Sequence, residues 1–360
     1  MITLPPMHRL QRMAPAMPGI QDLPAQIHRA LDEAQLDSER LSGKSIALTV
    51  GSRGIASLQI TVRAACDWLK KQGASPFVVP AMGSHGGATD EGQRTVLKDY
   101  GVTEERIGAP VRSSMKTVHL GDTPEGYAVH MDRNAHEADG VLLFNRVKPH
   151  TNFNGKIESG LVKLMTVGLG KEEGAKVVHL GSRQIDYEPV LRTMAKVVLG
   201  SGKIVGGFGV VENEEHQVAV VRAARPGSII TMEEQALETA KELYARLPFK
   251  NIGLLIVDEM GKDISGAGMD TKVVGRGVVA GGEGMPEIRL VYVRDVTPAS
   301  EGNAIGMGYA DLIHENLYHK LDMEKVYVNA RTSLEPGGAR MPMHFPTDAR
   351  AIGFALESMG

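Results

Sequence analysis

An α/β protein of two domains is the expectation from this sequence. The first domain should hold a mostly parallel sheet with helices on both faces. The second should be a smaller α/β unit, with the active site in the cleft between the two. Three observations carry this. Short β-rich runs alternate with helical stretches, the pattern of strand–helix–strand units. At 360 residues the chain exceeds the usual size of one domain. After Pro248 the rhythm restarts with "NIGLLIVDEM", which sets the expected domains at 1–248 and 249–360.

"KSIALTV" (44–50) reads as a buried strand and "ASLQITVRAACDWLKKQG" (56–73) as a helix ended by Gly73. "PFVVPAM" (76–82) is the next strand. "TDEGQRTVLKDYG" (89–101) follows as a helix capped by Thr89 or Asp90 and closed by Gly101. "ADGVLLFNRV" (138–147) is a further strand, and "SGKIVGGFGVVEN" and "HQVAVVRAAR" read as β structure. "TMEEQALETAKELYARL" (231–247) is an amphipathic helix.

Composition narrows the class. A hydrophobic share of 42% is ample for a buried core, and a net charge of −3 gives no footprint for nucleic acid or an anionic membrane surface. The single cysteine, Cys66, excludes an internal disulfide framework and fits a reducing compartment. No apolar run approaches the roughly 18 residues of a membrane span. Prolines interrupt the N-terminal segment where an export signal needs an apolar core, so a cytoplasmic protein is expected. Forty-two glycines in a non-repetitive chain point to tight turns and close approach of backbone to ligand.

In such folds ligands sit outside the carboxyl ends of the strands. After 44–50 comes "GSRGI" with Arg53; after 76–82, "GSHGGAT" with His85; after 138–147, "KPHTNFNG" with His150. Two imidazoles that exchange protons near neutral pH would then stand beside a guanidinium that can clamp an anion. Each has an ordinary alternative: Arg53 as a surface loop residue, and either histidine as a structural residue in a turn. The glycine spacing is not that of a dinucleotide-binding fingerprint.

Lys163 lies in "SGLVKLMTVGLG", flanked by Leu161, Val162, Leu164 and Met165. An ammonium in an apolar surround must be paired, neutralised or able to reach water. Acylation of the amine removes its charge, so a covalent attachment is one physical option; a desolvated catalytic amine and a snorkelling side chain are the others. His179 in "EGAKVVHLG", by itself, reads as a hydrogen-bonded core histidine rather than a metal ligand.

The segments "GSRG", "GSHGGAT", "NRVKPHTNFNGKIESGLVKLM" and "GLGKEEGAKVVH" resemble the nickel-pincer lactate racemases and their 2-hydroxyacid racemase and epimerase relatives. The resemblance implies a pyridinium mononucleotide with two thio groups, joined to Lys163 as a thioamide. That group binds nickel through two sulfurs and a ring carbon. A histidine sixteen residues after the lysine completes the set, and 163 plus 16 is His179. Soft sulfur donors with one imidazole in a four-coordinate site suit nickel. By the same resemblance His85 and His150 are the catalytic histidines and Arg53 orients the substrate. The implied reaction inverts C2 of a 2-hydroxy acid, sugar acids included, by reversible hydride transfer, and cofactor-synthesis enzymes are implied partners.

Two features depart from lactate racemase itself. The His150–Lys163 interval is longer, and the C-terminal carboxylate-binding glutamine and lysine have no clear counterpart. Instead the chain has the polar, glycine-rich "DEMGKDISGAGMDTKVVGR" and "NARTSLEPGGARMPMHFPTDARA". Two other classes stand beside the racemase: a hydrolase or lyase using His85 and His150 around an ordinary divalent metal, and a non-catalytic small-acid-binding protein.

Overall fold

The computed structural model describes residues 6–11, 17–51, 54–151, 153–277, 285–333 and 335–360. They fall into two compact units. One comprises Met13–His150 with Asn154–Tyr244; the other comprises Ala245–Gly360 with Met1–Arg12 and Thr151–Phe153.

The larger unit contains β1 (Ser45–Val50), β2 (Ser75–Pro80), β3 (Thr117–Asp122), β4 (Ala128–Asp132), β5 (Gly140–Arg146), β6 (Ile204–Glu212) and β7 (Val218–Ala224). Its main sheet runs β2-β1-β5-β6-β7, with the first four strands parallel and β7 antiparallel at the edge. The mostly parallel sheet expected from the sequence is therefore present. In β1 every residue from Ile46 to Val50 is buried, and in β5 every residue from Gly140 to Phe144. Successive side chains point to opposite faces, so strands buried at every position are covered on both sides. Phe144 stacks on Phe208 of β6 at 4.7 Å, and the buried Thr49 hydroxyl accepts the backbone N–H of Phe144 at 2.9 Å.

The helix Leu58–Lys71 buries Leu58, Val62, Ala65 and Leu69 and ends on Lys70 and Lys71, which suit the carbonyl end of a helix. Thr89 caps the helix Asp90–Asp99 by accepting the N–H of Gly92 at 3.0 Å. The β3–β4 hairpin and the helices Lys171–Ile185 and Tyr187–Gly200 lie between the strands read from the sequence. The last two carry His179 and Tyr187.

The smaller unit has a four-stranded parallel sheet, ordered β11-β10-β9-β8, from β8 (Asn251–Met260), β9 (Glu287–Val296), β10 (Leu312–His314) and β11 (Met343–Phe345). Met260, Val291, Val293, Ile313, Leu317 and Val326 belong to one core of this unit, while Tyr292, Leu312, Ala351 and Ala355 form a second cluster. No helix among the described residues is long and apolar enough to cross a membrane.

Candidate active site

Because β2, β1 and β5 are neighbouring parallel strands, their carboxyl ends lie side by side and the three motif loops emerge along one edge of the sheet. Arg53 lies outside the described residues. The residues that follow it are held in place: Arg146 donates to the Gly54 carbonyl at 2.8 Å, and Ala56 N–H donates to Glu212 at 2.7 Å. Arg146 and Glu212 themselves pair at 2.5 Å with both side chains largely buried.

His85 is exposed on the loop after β2, where Gly83, Gly86 and Gly87 all take left-handed backbone angles. A Cβ on Gly86 would come within 2.5 Å of the Gly92 backbone, so this turn admits only glycine there. The buried Gln93 amide ties the loop down by donating to the carbonyls of Gly83 at 2.7 Å and His85 at 3.3 Å. Gln93 in turn accepts from Lys171 at 2.9 Å, and Lys171 also donates to the Pro80 carbonyl at 2.5 Å.

Lys171, not Lys163, is the fully buried lysine of this region. It faces the buried Asp132 carboxylate at 3.2 Å. Burial pushes the carboxyl up and the ammonium down, and each charge opposes the other's shift. Removing one partner of such a pair strands the other charge and typically costs about 3–5 kcal/mol. Lys171→Ala is expected to lose stability on that scale in urea unfolding. Lys171→Met with Asp132→Asn should recover much of it, and a double variant as weak as the single one would show the pair is not coupled.

Lys163 ends a short helical turn, Leu161–Lys163, and precedes a π turn at Leu164–Gly168. Wide turns of this kind recur at functional sites. A Cβ on Gly170 or Gly174 would sit 2.2 or 2.5 Å from the Thr166 carbonyl oxygen, so these glycines let the next helix pack backbone to backbone on the turn. The wholly buried Glu233 caps the Lys163 turn, accepting the N–H groups of Val162 at 2.8 Å and Leu161, while its Oε1 has no hydrogen-bond partner. Burial pushes this carboxyl up to about 7. As pH rises from the ordinary carboxyl range to about 7, the unfolded chain releases this proton while the folded chain keeps it. The group therefore subtracts stability across that window and levels off above it. Glu233→Gln is expected to gain roughly 3 kcal/mol on wild type between pH 4 and pH 8. Unfolding profiles that run parallel would refute this.

Three sequence-derived candidates converge. The Lys163 ammonium donates to Nε2 of His150 at 2.6 Å. The His150 ring stacks on Tyr187 at 6.5 Å, and the Tyr187 hydroxyl is hydrogen-bonded to Nδ1 of His179 at 3.2 Å. Burial, helped by the Lys163 charge, pushes His179 below its usual value and keeps the imidazole neutral near pH 7. The His150 backbone N–H donates to the buried Glu158 at 2.6 Å, and Glu158 pairs with Lys241 at 2.8 Å. Tyr187, Glu158, Lys241, Glu233 and Lys171 are the residues that sequence reasoning missed. Nothing in "KIESG" or "GLGKEEG" marks a charge as buried. Among the described residues, no group of three or more His, Cys, Asp or Glu side chains is gathered to hold a metal ion.

The fold and site together define an α/β protein with a lysine held against a histidine of a strand-end loop. The family model for the lactate racemase N-terminal domain matches residues 2–184, and the chain belongs to that family. The lactate racemase apoprotein from Thermoanaerobacterium thermosaccharolyticum shares its fold, with a TM-score of 0.60 at 14% identity over 95% of this chain and 89% of that one. A protein from Thermotoga maritima aligns with a TM-score of 0.53 at 12% identity, over 89% of this chain and 80% of that one. No curated protein matches the chain.

Proposed function

We propose that the protein is a racemase or epimerase that inverts the hydroxyl-bearing C2 of a 2-hydroxy acid, using a nickel-pincer nucleotide attached to Lys163. The observation that carries this is the meeting of Lys163 with His150 at 2.6 Å, beside a neutral, half-buried His179. The donor set fits the group. An amine stands where an acyl carbon can be attached, and a neutral imidazole has a lone pair for a borderline metal such as nickel. With Nδ1 of His179 engaged by Tyr187, Nε2 is the nitrogen left to bind metal.

When bound, the cofactor supplies a centre that accepts the substrate's α-hydrogen as hydride and returns it. The remaining steps belong to the chain. Arg53 holds the carboxylate as a fork-shaped cation. His150 and His85, on the strand-end loops of β5 and β2 to either side of β1, take and return the hydroxyl proton, one for each stereoisomer. The packed Lys163 turn and the Glu158 contact fix the anchor and His150 in place before substrate arrives.

The test is the intact mass of protein made beside cofactor-synthesis enzymes, followed by chiral analysis of a panel of 2-hydroxy acids. A several-hundred-dalton adduct on Lys163 with inversion of one substrate supports the reading. Metal without an adduct would favour a hydrolase or lyase, and neither would favour an acid-binding protein. His179→Ala is expected to keep the adduct but lose most of its nickel. Full nickel occupancy in that variant would return His179 to a packing role.

A further inference from the structure

We propose that His150 is also the base that activates Lys163 for acylation, so that the protein promotes its own modification at this amine. This rests on the reading of Lys163 as the attachment point. An ammonium has donors only, so in the 2.6 Å contact Nε2 of His150 must accept, and it is poised to take the proton that keeps the amine from attacking.

The surroundings single out this lysine. Lys171 is closed in by Asp132, Gln93 and the Pro80 carbonyl, with no exposure to an acyl donor. Lys176 is exposed and pairs with Glu172 at 2.7 Å, a partner too weakly basic to take its proton. Lys163 is half-buried with an imidazole against its nitrogen. That imidazole is fixed from behind. Glu158 holds the His150 backbone N–H, Lys241 holds Glu158, and Lys241 also donates to the Gly155 carbonyl at 2.7 Å, closing the loop that carries His150.

The chemistry balances without an oxidant or reductant. The ammonium gives one proton to His150, and the amine attacks the acyl carbon, forming the carbon–nitrogen bond. With a thiocarboxylic acid the carbon–oxygen bond breaks and water leaves, giving a thioamide. With a thioester the carbon–sulfur bond breaks and a thiol leaves, giving an amide. In both cases the leaving group departs with the proton held by His150.

The purified full-length protein is treated with S-phenyl thioacetate, and acetylation of each lysine is followed by peptide mass spectrometry. Lys163 is expected to react at least about tenfold faster than Lys176. His150→Ala and His150→Gln should slow Lys163 about 100-fold, the low end of general-base contributions, with Lys176 unchanged. Added imidazole should raise the Lys163-to-Lys176 ratio in His150→Ala, which a merely structural role would not produce. Equal labelling of the two lysines in wild type overturns the proposal. So does undiminished Lys163 labelling in whichever His150 variant keeps its fold by circular dichroism. A second arm follows cofactor uptake after induction beside the cofactor-synthesis enzymes. Wild type without an adduct overturns the proposed function, leaving the probe reaction to decide the base. Wild type and His150→Ala taking up adduct at equal rates overturns the base alone.

Discussion

Lys163→Arg is expected to abolish both the cofactor adduct and racemisation while leaving the fold intact. Arginine keeps the positive charge and a planar set of donors that can still reach Nε2 of His150, so the ground-state contact is largely preserved. It cannot be acylated under the same conditions, because the guanidinium stays protonated and its nitrogens are delocalised. The substitution thus separates charge from nucleophilicity at one atom. Lys163 is half-buried, and no core cavity opens when its end group changes, so stability should stay within about 1 kcal/mol of wild type. Intact mass, bound nickel and turnover of the responsive 2-hydroxy acid are the readouts. Near-wild-type turnover in this variant would refute the anchor assignment.

The parts of the molecule readable from sequence are those set by local pattern. Runs such as "SIALTV" and "GVLLF" have the continuous apolar character of strands covered on both faces, and they form β1 and most of β5. Loops at the ends of β2 and β5 marked His85 and His150 because a parallel sheet places such loops along one edge. What escaped is set by distant contacts. Lys171 begins a helix followed by Glu172 and Glu173 and looks solvated, yet it is buried against Pro80, 91 residues earlier, and Gln93, 78 residues earlier. Glu233 lies on a helix that reads as ordinary and amphipathic; its function as a cap for the Lys163 turn depends on a pairing 71 residues long. The apolar flanks of Lys163 raised the right question for an incomplete reason. Its amine is only partly withdrawn from water, and its partner, His150, is 13 residues away in sequence.

Replacing either His85 or His150 should depress racemisation in both directions, and the half-reaction should tell the two apart. In the proposed mechanism each inversion uses one histidine to take the hydroxyl proton and the other to return it on the opposite face. Losing either therefore blocks every complete turnover. General acid–base contributions are typically about 100- to 10,000-fold, so each alanine variant should fall by at least the lower figure. Rates are compared per adduct-bearing molecule, because His150→Ala is expected to load slowly as well. In single turnover the variants should diverge. His150→Ala should still oxidise the stereoisomer served by His85, giving a cofactor absorbance change without inverted product, and His85→Ala should prefer the other isomer. The two loops are held independently, His150 through Glu158 and Lys241, His85 through Gln93 and Lys171. Truncating one imidazole should therefore leave the other in position, and the opposite isomer preferences should be sharp. If both variants keep multiple-turnover racemisation within a few-fold of wild type, the two-histidine exchange is wrong. The strand-end loops would then serve to bind an acid rather than to invert it.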